Sequence, residues 1–156
     1  MDEIQPLSKK ELEEARGTVE RLFTLLGVSG SSEVVERDGL LDVALDTEDT
    51  GMVIGYHGEV LEALQLIISL MVTKQVGHYV RVSLEVGDYK KHRTEYLEQL
   101  ARQVKERALE ENHEQVLSDL KSWERRIVHL ALQNDDEVTS ESMGEGKERV
   151  LIVRPK

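Results

Sequence analysis

The stretch Gly51-Met52-Val53-Ile54-Gly55-Tyr56-His57-Gly58-Glu59-Val60-Leu61-Glu62-Ala63-Leu64-Gln65 decides the fold of this chain. It sets a glycine-flanked loop, Gly55 to Gly58, between a helical turn around Asp49–Val53 and an apolar helix expected over Glu59–Gln75. Two glycines let the backbone approach a ligand without Cβ interference, and the following helix points its free N–H groups at the loop. Alone, Gly-x-x-Gly is more often an ordinary interhelical turn. From Val60 to Val72, 10 of 13 residues are apolar, a run too short for a membrane span and broken by Glu62, Gln65 and Ser69. The expectation is a buried helix.

Working outward, Ser8 followed by Glu11 forms a capping-box pattern that opens a helix ending near Leu26, with Gly27 as its stop. Leu12, Ala15, Val19, Leu22, Phe23 and Leu26 share one stripe. Two strands follow, Glu33–Arg37 and Leu40–Asp46, joined at the hairpin signal Asp38-Gly39. After the apolar helix, Gly77 is a stop and Tyr79–Val86 alternates as a third strand. The predicted order is α-β-β-α-α-β.

From Asp88 to Met143 there is neither glycine nor proline, so a mostly helical segment is expected. Tyr89, Tyr96, Leu97, Leu100, Ala101, Val104 and Ala108 line one face of a helix reaching about Glu111. An extended piece near Gln115–Leu120 leads to Ser122 as N-cap of a helix over Trp123–Gln133. Val138–Ser142 and Glu148–Val153 read as strands around Gly144-Glu145-Gly146. In Glu124-Arg125-Arg126-Ile127-Val128-His129, Arg125 and His129 stand at i, i+4 on one helix face. Trp123, Ile127, Leu130 and Ala131 gather opposite, which predicts Arg125 and His129 facing solvent and Arg126 on the flank.

The chain has 156 residues, 20 basic and 31 acidic, for a formal charge of 20 − 31 = −11. Residues 1–87 carry 7 basic and 16 acidic side chains, or −9; residues 88–156 carry 13 and 15, or −2. An acidic balance argues against nucleic acid in general, yet a near-neutral half joined to an acidic half indicates two units with different surfaces. Cysteine is absent, which excludes disulfides and thiolate metal sites. The start, Met1-Asp2-Glu3-Ile4, has no basic or apolar leader, so a cytoplasmic protein without membrane insertion is expected.

The element order and the Ile54-Gly55-x-x-Gly58 loop resemble a type II KH domain, whose loop clamps nucleotide backbone. The longer string to Gln65 is similar to the KH domain of the Jag/KhpB (SpoIIIJ-associated) family. Arg125 and His129 resemble the signature of the Arg-x-x-x-His (R-three-H) domain, a single-stranded nucleic-acid binder. Asp88 to Arg93 and Thr139-Ser140-Glu141-Ser142 through Arg149 also look Jag-like. A KH domain followed directly by an R-three-H domain is a specific combination, and the likeness spans residues 30–154. It differs inside the loop, where Tyr56 and His57 stand at positions often basic in the family, and in lacking the usual prolines before Trp123. The family's common extra N-terminal domain is also expected to be missing.

The resemblance implies an α+β protein, a type II KH domain packed with a small α/β R-three-H domain. Residues 1–29 would form the N-terminal helix and connection, 30–87 the KH domain and 88–156 the R-three-H domain. It implies a non-enzymatic binder of single-stranded RNA, with single-stranded DNA as a second ligand, acting as a bacterial RNA chaperone or post-transcriptional regulator. Gly55, Tyr56, His57 and Gly58 would hold the RNA backbone, and Arg125, Arg126, His129 and Arg149 would contact phosphates or bases. A small KH protein or a second copy is the implied protein partner. No cofactor or metal is expected, since His78, His92 and His113 stand apart. Lys91, Arg102 and Lys105 interleave with Glu95, Glu98 and Glu106 as an ion-paired surface, and Asp135-Asp136-Glu137 reads as a solvated loop. The competing reading is a protein-interaction adaptor with weakened RNA affinity, supported by the −9 charge and by Glu59 and Glu62 at the loop. A metal-dependent nuclease using the acidic turn comes third.

Overall fold

A computed structural model describes residues 5–156; the start at Met1–Ile4, and with it the beginning of the expected 1–29 segment, lies outside them. The chain divides into two compact units, 1–89 and 90–156.

In the first unit, α1 (Lys9–Leu25) opens with the predicted capping box. The Ser8 N–H donates to Glu11 Oε2 at 2.8 Å, and the Glu11 N–H donates to Ser8 Oγ at 3.3 Å. Ala15, Val19 and Phe23 are its buried stripe, whereas Leu26, expected on that stripe, caps the helix and is exposed. β1 (Ser31–Arg37) and β2 (Leu40–Asp46) pair antiparallel, with Arg37 opposite Leu40. Asp38 and Gly39 both take positive φ, 49° and 80°, as a two-residue type I′ turn requires. β3 (Arg81–Val86) pairs parallel to β2, giving the order β1-β2-β3.

Leu41, Val43 and Leu45 of β2 and Val82, Leu84 and Val86 of β3 point to one face and pack with α1 and α3 (Glu59–Val76). Each such side chain, fully buried, contributes about 1.5–3 kcal/mol. The Val60–Val72 run, expected as a buried helix, is buried on one face only: α3 buries Leu61, Leu64, Ile68 and Val72 and leaves Leu66, Ile67 and Leu70 exposed. Two residues that interrupt the run tie the helix to β3 and to the residue that precedes it. Ser69 Oγ donates to the Val80 carbonyl at 2.6 Å, and the Leu84 N–H donates to Gln65 Oε1 at 3.0 Å. The Val80 N–H donates to Thr73 Oγ1 at 2.9 Å, so both Val80 backbone groups serve the helix and β3 starts at Arg81, not at Tyr79.

In the second unit, α4 (Tyr89–Glu111, its first residue still in the first unit) buries Leu97, Ala101, Val104 and Ala108. Two residues expected on that face do otherwise: Tyr89 packs against the first core, and Tyr96 is exposed beneath the Arg93 guanidinium, 5.0 Å from the ring centroid. β4 (Gln115–Leu117), β5 (Val138–Met143) and β6 (Val150–Pro155) form an antiparallel sheet in the order β4-β6-β5. A 3₁₀ turn at Gly146–Glu148 moves the start of β6 to Val150, two residues after the predicted start at Glu148. α5 (Ser122–Leu132) adds Val128 and Leu132 to the core, with Lys121 rather than Ser122 at its N-cap.

Candidate nucleic-acid interface

In the first unit the predicted loop has a specific geometry. α2 (Thr50–Ile54) is held from outside by Asp49, whose Oδ2 accepts from the Ser29 N–H at 3.0 Å and Ser29 Oγ at 2.8 Å. Those bonds hold the Asp49 carboxyl below its usual range. The chain then turns at Gly55 (φ 68°, ψ −170°), where a Cβ would sit 2.3 Å from Val60 Cγ2 and 3.1 Å from Val60 N. Only glycine fits there. A Cβ at Gly58 (φ 78°) would meet the Tyr89 ring at 3.0 Å. Tyr89 is thus the rear wall of the loop, a role its place in a helical periodicity could not disclose.

Between the glycines, Tyr56 is exposed and stacks on His57, ring centroids 3.9 Å apart and planes 19° from parallel. His57 itself is left-handed (φ 48°, ψ 31°), and its buried Nδ1 has no hydrogen-bond partner. An aromatic ledge over a glycine-shaped backbone can accept a base face and an extended chain. Glu59 and Glu62, in the first turn of α3, keep the rim acidic.

In the second unit the structure draws the four predicted basic residues together. Arg125, Arg126, His129 and Arg149, with Ser122, Ser142 and Leu151, line an open groove of about 240 Å³. No carboxylate is among these lining residues. Arg125 Nη2 donates to Ser122 Oγ at 3.1 Å and its Nη1 donates to the Leu120 carbonyl. Arg149 Nε donates to Ser142 Oγ at 2.9 Å, and His129 Nδ1 lies 2.8 Å from Ser140 Oγ. Each anchored guanidinium keeps other N–H groups for a ligand, because it carries five. Ser140 and Ser142 were visible in the sequence within the Thr139–Ser142 likeness and Ser122 as an expected N-cap, but their bonds to the basic residues were not.

The orientation of α5 overturns one expectation. Arg125 and His129 are half-buried toward the groove rather than open to solvent, while Arg126 is exposed. Trp123 is 36% exposed, Leu130 53%, and Ala131 also lies outside, so only Ile127 of the predicted apolar face packs on the core. The cause is Glu124, with 0% of its surface exposed. Its Oε1 accepts from Arg93 Nε at 2.7 Å, that side chain being 11% exposed, and its Oε2 accepts from the Lys121 N–H at 2.9 Å. Periodicity reads a glutamate as solvent-facing; a buried arginine partner reverses that. Asp135 is corrected too. It is not solvated, because Lys105 Nζ lies 2.6 Å from its Oδ2 and 2.8 Å from Glu137 Oε2. Lys105 accordingly pairs across to this turn rather than with its own helix.

Family models match both halves of the chain. The KhpA/KhpB KH domain matches residues 17–86, and the R-three-H domain matches residues 95–155. The chain pairs a KhpA/KhpB-type KH domain with an R-three-H domain. Among its relatives named RNA-binding protein KhpB, that of Clostridium symbiosum is 36% identical over 128 residues, 82% of this chain and 58% of that protein. That of Streptococcus pneumoniae is 34% identical over 113 residues, 72% of this chain and 34% of its own. That of Bacillus subtilis is 29% identical over 133 residues, 83% of this chain and 64% of its own. The chain therefore spans from about a third to under two thirds of the length of these curated relatives. In family terms, the Gly55–Gly58 loop lies in the KH match and all four groove residues lie in the R-three-H match.

No helix among the described residues is long and apolar enough to cross a membrane. Nor do three His, Asp or Glu side chains among them gather as metal ligands would.

Proposed function

We propose that the chain binds single-stranded RNA in the cytoplasm, without chemistry, and serves as an RNA chaperone or post-transcriptional regulator. The observation that carries this is the groove: three guanidiniums and an imidazole around a space free of carboxylates, in a chain of net charge −11. Charge concentrated against the overall balance marks a place where phosphate is favoured over protein carboxylate. The relatives' name, RNA-binding protein KhpB, supports RNA as the polymer. Gly55 to Gly58 would take the strand's backbone, Tyr56 adding a stacking surface worth about 1–3 kcal/mol per base.

Titrating the whole chain with single-stranded RNA, duplex RNA and single-stranded DNA across a salt series tests the reading. Single-stranded RNA should bind most tightly, with log affinity falling against log salt at about −0.7 per phosphate neutralised. Absence of binding to any of the three at low salt would overturn it. One observation favours an adaptor instead: Leu66, Ile67 and Leu70 of α3 are exposed within residues 1–87, a stretch of charge −9. Under that reading a small KH protein or a second copy covers the helix, and size-exclusion mobility, not RNA affinity, responds to Ile67→Glu.

A further inference from the structure

β5 presents alternate residues to its two faces. Thr139, Glu141 and Met143 lie on the side of Arg154, whose Nη1 donates to Glu141 Oε2 at 3.4 Å and whose Nη2 lies 3.8 Å from Met143 Sδ. Ser140 and Ser142 lie on the side of α5, where each hydroxyl holds one basic group: Ser142 holds Arg149 and Ser140 holds His129. The second of these contacts has a chemical consequence for the groove.

A neutral imidazole has one N–H and one bare nitrogen, and the partner of one nitrogen decides the state of the other. A carbonyl or carboxylate beside Nδ1 could only accept, so the proton would sit on Nδ1 and Nε2 would offer a lone pair. A lone pair repels a phosphate oxygen. A hydroxyl can donate, and Ser140 Oγ is 2.8 Å from Nδ1. We propose that Ser140 is a positioning residue that donates to His129 Nδ1, thereby keeping the proton on Nε2 as a donor for phosphate held between Arg125 and Arg149. The inference rests on the groove reading above and deepens it. The imidazole then contributes a neutral, directional hydrogen bond, and the charge is left to Arg125, Arg126 and Arg149. Serine also suits the imidazolium, because the same oxygen can accept once Nδ1 carries a proton.

The experiment has a part that needs no RNA. Nitrogen and carbon NMR of the His129 ring in the 156-residue chain, at about pH 8 where free imidazole is neutral, reports the tautomer directly. The Nε2–H form is expected; a predominant Nδ1–H form overturns the inference. The second part measures affinity for a short single-stranded oligouridylate at the same pH. Ser140→Ala should weaken it by roughly three- to tenfold, Ser140→Thr should restore it, and Ser140→Ala should add nothing to His129→Ala. If His129→Ala weakens binding and a folded Ser140→Ala does not, the inference fails while the groove reading stands. If His129→Ala leaves affinity unchanged, no phosphate lies at this imidazole and the groove reading fails there as well. Should Ser140→Ala not fold, the wild-type tautomer and the threonine variant still decide.

Discussion

Arg125 is tied down before any ligand arrives. Its guanidinium donates to the Leu120 carbonyl and to Ser122 Oγ, so it both closes the segment entering α5 and presents its remaining N–H groups to the groove. Arg125→Ala should therefore cost about 1 kcal/mol of stability, whereas Arg126→Ala, on an exposed side chain, should stay within about ±0.5 kcal/mol. Chemical denaturation of the two variants checks the difference, and equal stabilities would mean that the Arg125 bonds carry no weight. One position toward the N-terminus the effect is larger. Glu124→Ala strands the Arg93 guanidinium in a buried site and should cost about 3–5 kcal/mol. Trp123→Ala should cost less than Glu124→Ala. A hydropathy reading of the helix ranks them the other way, so the order of the two midpoints discriminates between the readings.

At the scale of elements, the loop depends on shape and the α4–β5 connection on charge. Gly55→Ala drives a Cβ into Val60 at 2.3 Å and should destabilise the first unit more than Gly51→Ala, whose Cβ meets nothing within 4 Å. Thermal melts of the two variants give the comparison; equal melting temperatures would contradict it. Around Lys105, hydrogen bonds to Asp135 and then Glu137 raise the ammonium pKa, while the bond from Lys105, followed by that from the Glu137 N–H, lowers that of Asp135. The signs set two limits. A lowered carboxyl stabilises above its unfolded pKa of about 3.9 and loses that contribution as pH falls through its folded value. A raised ammonium stabilises below its unfolded value of about 10.4 and loses that contribution as pH rises through its folded one. Asp135→Asn should accordingly flatten the acid fall of the melting temperature, and an unaltered acid limb would show the pair to be idle.

Local chemistry in this chain was legible wherever it did not depend on a partner distant in sequence. The Ser8–Glu11 box, the Asp38-Gly39 turn and the Gly55–Gly58 loop are each decided within a few residues, and each stands where the pattern put it. The rotation of α5 was not legible, because it depends on Arg93, 31 positions before Glu124. The same holds for Lys105 with Asp135, 30 positions apart, and for Tyr89 behind Gly58. Arg125, Arg126, His129 and Arg149 were named from a motif, and the groove that gathers them follows from packing a helix on a sheet.

For the whole molecule, charge placement is decisive: a chain of −11 keeps three arginines and a histidine around one groove. Removing charge there without disturbing the anchored Arg125 is the cleanest intervention. Arg126 and Arg149 are both exposed. The double variant Arg126→Ala/Arg149→Ala should keep the wild-type circular dichroism and lose little stability, because the one bond it removes, from Arg149 to Ser142 Oγ, is exposed. The measurement is its affinity for single-stranded RNA over a salt series, beside wild type. Because the variant neutralises two fewer phosphates, the slope of log affinity against log salt should shrink by about 1.4, twice the single-strand value of 0.7. A folded variant with the wild-type slope would show that RNA does not use this groove.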